Sequence, residues 1–307
     1  MAKIVLAGGT GHLGKLLTDF LLGRGDDVVI LSRKTILQQH PKLTYILWDG
    51  QHLGQWQHAL EGAEVVINLS GESINRRFTA KNRKLLEDSR FLPSKAIGFA
   101  LQQCLHPPRI WINFSGISIF GGTKGMHDEE SNDYGTDYLA QLTQAWENIV
   151  HRFVLPNTQK VLLRVSPVLS EHWGMFSELL PLVKWRLGGK IGRGQQYISW
   201  IHEQDFVRLV DWIIQHPQPK ALYHGCSPHP ISNALFMKIF REEAKVPFGL
   251  PLPTWMAKIG ALAKGVDSSM LLQSVPATTI RTVNEGFVFE FADIRDALKD
   301  LITGLNR

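Results

Sequence analysis

A short apolar strand, Lys3 to Ala7, runs without a break into Gly8-Gly-Thr10-Gly11-His12-Leu13-Gly14 and then into an amphipathic stretch, Lys15 to Leu22. Few features constrain a fold as tightly as a strand, a glycine turn and a helix in that order. Gly8 permits the tight turn off the strand, Gly11 lets the backbone approach a pyrophosphate, and Gly14 lets the helix pack closely on the sheet. Amide groups at the helix start are free to meet phosphate charge. Leu13, Leu16, Leu17, Phe20 and Leu21 share one helical face, which favours a dinucleotide site over a Gly-rich loop that merely caps a helix. Gly8, Thr10, Gly11, His12, Leu13 and Gly14 are the first candidate contacts.

Strands and helices alternate after this junction. Strand segments fall at Val28 to Leu31, Thr44 to Leu47, Val65 to Leu69, Arg109 to Ser115 and Lys160 to Val165. Continuous apolar runs such as Val-Val-Ile-Leu are what strands buried on both faces contain, and alternation with helices implies a parallel sheet. Helices are expected over Ala80 to Cys104 and Asp137 to Phe153, the latter with Tyr138, Leu142, Ala145 and Ile149 along one face. From about Pro167 the pattern turns to Gly-rich loops, tryptophans and prolines. A helix from Glu203 to Gln215, with Phe206, Leu209, Val210, Ile213 and Ile214 inward, and a strand from Ala221 to His224 return to the first layer. The reading is an α/β fold, a Rossmann-type doubly wound parallel sheet with a smaller, interleaved C-terminal substrate region. Residues 1–166 and 203–226 form the dinucleotide-binding part; 167–202 and 227–307 form the substrate region.

Composition narrows the function. The 33 Lys and Arg against 28 Asp and Glu make the chain mildly basic, but the cations are scattered except at Arg76-Arg77 and Lys81 to Lys84. That is too thin for a nucleic-acid footprint. Two cysteines, Cys104 and Cys226, make no disulfide framework, and neither a signal-peptide pattern nor an apolar run of membrane-spanning length is present. The cytoplasm is the natural compartment, with neither membrane nor nucleic acid as a partner. Among 12 histidines only His224 and His229, near Cys226, resemble a ligand pair, and a turn explains them better than a metal, so no metal site is assigned.

The second strand ends in Ser32-Arg33 where NAD-selective sites carry an acid. An Arg pairs with a phosphate and a carboxylate would repel one, so the 2′-phosphorylated cofactor, NADP(H), is favoured. A solvated Arg33 is the alternative. Asp49, after the third strand, is placed either for the adenine amino group or simply to form a turn.

The chain resembles the atypical, extended branch of the short-chain dehydrogenase/reductase superfamily, and within it the epimerase-like group of nucleoside-diphosphate-sugar epimerases. The likeness rests on Gly8 to Gly14, Ser32-Arg33, Trp48-Asp49, Asn68-Leu69-Ser70-Gly71-Glu72, Asp88-Ser-Arg90, Trp146-Glu147, the segment from Gly188 to Asp205, Pro230 to Asn233, Ser274 to Pro276 and Gly286 to Phe289. It implies that Asn68, Leu69, Ser70, Gly71 and Glu72 lie against the cofactor's ribose and phosphates and that Arg90 comes toward the phosphates. It also implies that Arg164, Ser166 and Val168 pass near the nicotinamide; for Arg164 a buried salt bridge is the alternative. Relatives often pair as dimers through the helices near 80–104 and 137–153, so a homodimer is possible.

Reductases of this kind use a Ser, a Tyr and a Lys four residues after the Tyr, whose charge lowers the phenol from its ordinary pKa of about 10. Ser115 takes the serine place. Tyr138 is followed at that spacing by Leu142 and Tyr134 by Tyr138, so neither completes the motif. Phe120 stands where relatives commonly carry Tyr. If catalysis persists, Ser115 with Tyr138 is the pair to test, with Glu72, His202 or Asp205 as substitutes; Tyr138 is equally read as a core residue. Two functions follow: an NADP-dependent oxidoreductase or epimerase acting on a hydroxyl or carbonyl of an unidentified polar metabolite such as a nucleotide sugar, or a catalytically impaired NADP(H)-binding sensor.

Overall fold

A computed structural model of the chain describes residues 1–37 and 40–305. Its first half contains β1 (Lys3–Ala7), α1 (His12–Arg24), β2 (Asp27–Ser32), β3 (Leu43–Leu47), β4 (Val65–Asn68), α2 (Ala80–Gln103), β5 (Ile110–Gly116), α3 (Tyr138–His151) and β6 (Gln159–Val165). The second half adds β7 (Val168–Leu169), α4 (Gly174–Lys184), β8 (Tyr197–Ile198), β9 (Ile201–His202), α5 (Glu203–Gln215), β10 (Leu222–Gly225), β11 (Ile231–Ser232), α6 (Asn233–Glu243), α7 (Thr254–Lys264), α8 (Ser269–Leu272), α9 (Arg281–Asn284) and α10 (Ile294–Gly304).

Seven strands form one parallel sheet in the order β10-β6-β5-β4-β1-β2-β3. The order reverses between β1 and β4, the crevice where open α/β sheets place their ligands. Alternation along each strand builds two cores. Ile4, Leu6, Ile30, Ile67, Ile112 and Leu163 face α1 and α5, while Val5, Ala7, Val29, Val66, Trp111 and Leu162 face α2 and α3. Burial on both faces explains why these strands read as continuous apolar runs.

β10 joins the central sheet beside β6, although residues 167–202 of the C-terminal region come between them in sequence. That region has a core of its own, in which Phe176 and Leu180 of α4, Phe236 and Phe240 of α6, and Leu298 and Leu301 of α10 pack around Trp200. Two small sheets, β8 with β11 and β7 with β9, hold it beside the main sheet. Contacts tie it to the loop after β4: Asp267 N donates to Arg76 O at 3.3 Å, and Asn75 Nδ2 lies 3.5 Å from Glu178 Oε1.

One helix sits differently from the sequence reading. In α3 the inward residues are Leu139, Leu142, Thr143, Trp146, Glu147 and Val150, whereas Ala145 is exposed. The face is rotated because Trp146, not Ala145 or Ile149, carries the larger apolar area, and burial follows area. Glu147 is thereby carried inside.

Candidate cofactor and active site

The turn between β1 and α1 has three glycines with distinct surroundings. A Cβ on Gly8, whose φ is +76°, would lie 3.0 Å from the backbone of Ser70, and one on Gly14 would lie 2.3 Å from Gly9 O. Both positions are closed by the protein itself. Gly11 differs: its nearest neighbour would be Gly8 O at 3.6 Å, and the residue is exposed. Its missing side chain therefore leaves room outside the protein, where α1 presents its amide groups.

The loop 69–72 that packs on this turn is held from below by a buried amide network. Asn68 Nδ2 donates to Asn113 Oδ1 at 2.7 Å and to Ser94 Oγ at 3.0 Å, and Asn68 Oδ1 accepts from Ser70 N at 3.1 Å. Trp146 Nε1 donates to Ser94 Oγ at 2.8 Å. These bonds lock the carboxyl ends of β4 and β5 to α2 and α3, and buried polar groups so satisfied are rigid. Asn113, Ser94 and Trp146 are positioning residues that the sequence reading did not assign. His12 Nε2 and Ser70 Oγ are buried yet have no protein hydrogen-bond partner. An open glycine and two unpartnered polar atoms suit a ligand with phosphates and hydroxyls.

Cations surround the loop. Arg33 extends from the end of β2 with its side chain 71% exposed, 3.2 Å from Glu72 Oε1, while Arg76 approaches Glu72 Oε2 at 3.3 Å. Arg90 Nη2 donates to Glu72 O at 3.0 Å, and its guanidinium stands over the Trp146 ring. Burial pulls Arg90 down to about 10, which leaves it charged at neutral pH. Ser32 Oγ accepts from Lys34 N at 3.1 Å, so it shapes the turn that presents Arg33. Asp49 accepts from the amides of Gln51 and His52, each at 2.9 Å, and these bonds hold its carboxyl well below the usual range. The turn considered for Asp49 is formed.

The far end of the crevice is arranged otherwise. Ser115 Oγ donates to Glu147 Oε1 at 2.6 Å, and Arg164 grips the same carboxylate through Nε to Oε1 and Nη2 to Oε2, both 2.8 Å. All three residues are buried. Burial works against the Arg164 charge, but the bonds from Glu147 outweigh it and leave the guanidinium above its ordinary value. Arg164 thus forms the buried salt bridge weighed as its alternative role, while its Nη1 has no protein hydrogen-bond partner. Beyond it, Tyr134 Oη accepts from Arg164 Nη2 at 3.2 Å. His224, the register partner of Arg164, donates from Nδ1 to Thr278 O, and burial lowers its pKa, so it is neutral.

Tyr138 lies elsewhere. Its hydroxyl donates to Arg83 O at 3.1 Å, and its ring packs on Phe78 beside Leu86 and Leu142 in the seam between α2 and α3. Burial, with the field of Glu87, raises its pKa, the opposite of what a proton donor at neutral pH needs. The expected pair of Ser115 and Tyr138 is not formed, because the two hydroxyls have separate partners. The suggested substitutes also have partners within the protein. His202 caps α5 by accepting from Gln204 N and stacks on Phe291, and burial lowers it to about 4. Asp205 accepts from the amides of Glu290 and Phe291 and pairs with Arg208. Glu72 pairs with the arginines above. Phe120 is buried, stacked face to face on His127 at 4.6 Å.

The C-terminal region reaches back over the glycine turn. Val168 is half-buried in β7, and after that strand Trp173 stacks on His12 with ring centroids 5.4 Å apart. Among the described residues no cluster of His, Cys, Asp or Glu could hold a metal ion, and no helix is long and apolar enough to cross a membrane.

This arrangement of open glycine turn, crossover point and cationic loop has counterparts. A family model for the NAD dependent epimerase/dehydratase family matches residues 4–224. The chain belongs to this family. An epimerase family protein of Mycobacterium bovis is 31% identical over 97% of this chain and 96% of its own length. A crystal structure of human epimerase family protein SDR39U1 (isoform2) with NADPH superposes with a TM-score of 0.86 at 26% identity, covering 98% of this chain and 99% of that one. The nucleoside-diphosphate sugar epimerase from Corynebacterium glutamicum gives 0.76 at 25% identity, covering 97% of this chain and 57% of that one.

Proposed function

We propose that this epimerase/dehydratase family member binds NADP(H) along the carboxyl edge of its sheet and acts as an oxidoreductase or epimerase on a hydroxyl or carbonyl of a polar metabolite such as a nucleotide sugar. Exposed Arg33 at the end of β2 carries the cofactor choice: it offers a fork of donors where a ribose-binding acid would repel a 2′-phosphate. The likeness to the NADPH-bound human protein supports the same reading. Gly8 to Gly14, Ser32, Arg33, the 68–72 loop and Arg90 would hold the dinucleotide. When bound, it supplies a hydride donor or acceptor.

Proton handling falls to Ser115 and Glu147. A serine has one hydrogen to donate, and that of Ser115 goes to Glu147, so toward a substrate Ser115 can only accept. A substrate hydroxyl gives its proton to Ser115 Oγ as the proton of Ser115 passes to Glu147 Oε1; the reverse transfer reprotonates an oxyanion. Arg164, bonded to both oxygens of that carboxylate, holds it in place for the transfer. Leu142, buried where a lysine would assist Tyr138, favours the second reading, a cofactor-binding sensor without turnover.

A fluorescence titration with NADPH and NADH, followed by a screen of cofactor oxidation with aldehydes, ketones and nucleotide sugars, separates these readings. NADPH-selective binding with a turnover that Ser115→Ala removes supports the enzyme. Selective binding without turnover leaves the sensor, and preference for NADH overturns the cofactor assignment.

A further inference from the structure

The C-terminal region carries an apolar surface that none of the described residues covers. Helix α7 rests on the protein through two small residues, Ala257 and Ala261, whereas Trp255, Ile259 and Leu262 point outward and are 63%, 58% and 57% exposed. These three lie at i, i+4 and i+7, one continuous helical stripe. A helix in a globule ordinarily turns such a stripe inward; this one is inverted.

The stripe continues into a neighbouring ribbon. Leu250 N donates to Arg186 O at 2.8 Å, Gly189 N to Leu250 O at 3.1 Å and Leu252 N to Lys190 O at 2.9 Å, and Pro253 then leads straight into α7. Trp185, Phe248 and Leu250 on this ribbon are 78%, 50% and 56% exposed. Indole, phenyl and branched aliphatic groups on adjoining segments make a patch of the kind that marks an interaction site, not scattered surface hydrophobics.

Charge identifies the occupant. Segments 184–190 and 245–264 contain Lys184, Arg186, Lys190, Lys245, Lys258 and Lys264 and no acidic residue. Lys264 approaches Glu178 of α4 at 3.5 Å, and Arg186 lies over the Phe248 ring. Two copies of the chain meeting through this patch would bring these cations face to face, with only Lys264 of the six beside an acid among the described residues, so self-association is opposed. Tryptophan at the boundary, aliphatic groups between and lysines that can reach past them are the composition of a helix lying in a lipid interface.

We propose that α7 and the ribbon beside it dock this protein reversibly onto an anionic bilayer surface, the apolar side chains entering the headgroup layer and the cations meeting phosphates. This revises the expectation that membranes are not partners. Read along the chain the cations are dispersed, and folding brings the two segments that carry these six side by side. The docking is peripheral.

Co-sedimentation of the full chain with phosphatidylcholine vesicles, with and without about 30 mol% phosphatidylglycerol, tests the proposal. The protein should pellet with the anionic vesicles at low salt, stay in solution with neutral ones, and lose at least about tenfold in partitioning on Trp255→Glu with Ile259→Glu. Both side chains face solvent, so the melting temperature should not move; Lys258→Glu with Lys190→Glu should weaken binding without touching the apolar stripe. Equal partitioning to both vesicles, absence of wild-type binding to anionic vesicles, or a wild-type dimer that the Trp255→Glu/Ile259→Glu variant converts to monomer would each overturn it.

Discussion

The two ends of the cofactor crevice are built on opposite plans. At the adenine end the backbone is packed tightly from beneath and left open above: Gly8 and Gly14 admit no side chain, Gly11 faces outward, and Arg33 stands in solvent. At the other end Ser115, Glu147 and Arg164 bond to one another in a buried network, with Arg164 Nη1 and His224 Nε2 left without a protein partner. The contrast teaches that the two ends depend on different parts of the structure and can be perturbed separately. Phosphate recognition depends on backbone geometry, which few substitutions disturb. Proton transfer depends on a few side chains, and here Leu142 stands at the lysine spacing after Tyr138 while Ser115 bonds to a buried carboxylate.

Breaking the closed end should have the largest effect. Glu147→Gln leaves the Arg164 guanidinium buried without its counter-charge, and thermal or urea unfolding should show a loss of about 3–5 kcal/mol. Adding Arg164→Met to that variant should return much of the loss, whereas additive losses would show that the pair is not coupled. NADPH affinity of any folded variant should stay near wild type if the two ends are independent.

An intermediate effect belongs to the open end. Arg33→Asp should weaken NADPH by about ten- to a hundredfold while leaving NADH within about twofold, because a carboxylate then confronts the 2′-phosphate. An equal loss for both cofactors in the same titration would move Arg33 out of the phosphate site. Tyr138→Phe should do least. It removes one hydrogen bond to the Arg83 carbonyl at a half-exposed seam, so stability should fall by about 1 kcal/mol or less and turnover should not change. A large fall in turnover would restore Tyr138 to the chemistry.

Much of the open end was legible in the sequence, because a strand, a glycine turn and a helix are local and their spacing is fixed by backbone geometry. The strands of the central sheet were visible for the same reason, since burial on both faces leaves unbroken runs such as Val-Val-Ile-Asn at 65–68. The closed end was not. In the sequence Glu147 stands beside Trp146 with no visible role, since the spacing of Tyr138, Leu142, Ala145 and Ile149 turns the apolar face of α3 elsewhere. Trp146 decides the rotation, and an acid adjoining it on the 139/142/143/146/150 face is the signal that could have found the network. Asn113 and Ser94 carried no local mark, for their partners come from elements 19 to 52 residues away. The gathering of cations around α7 was invisible for a related reason: it exists only once segments 184–190 and 245–264 are side by side.

A crystal structure of the chain grown with saturating NADPH tests the central claim most directly. The account predicts the pyrophosphate over Gly11, the 2′-phosphate against Arg33 and the nicotinamide ring on the side of Ser115, with the bond from Ser115 to Glu147 intact. A dinucleotide lying in the opposite sense, or one whose nicotinamide is nearest the Tyr138 hydroxyl, would contradict it.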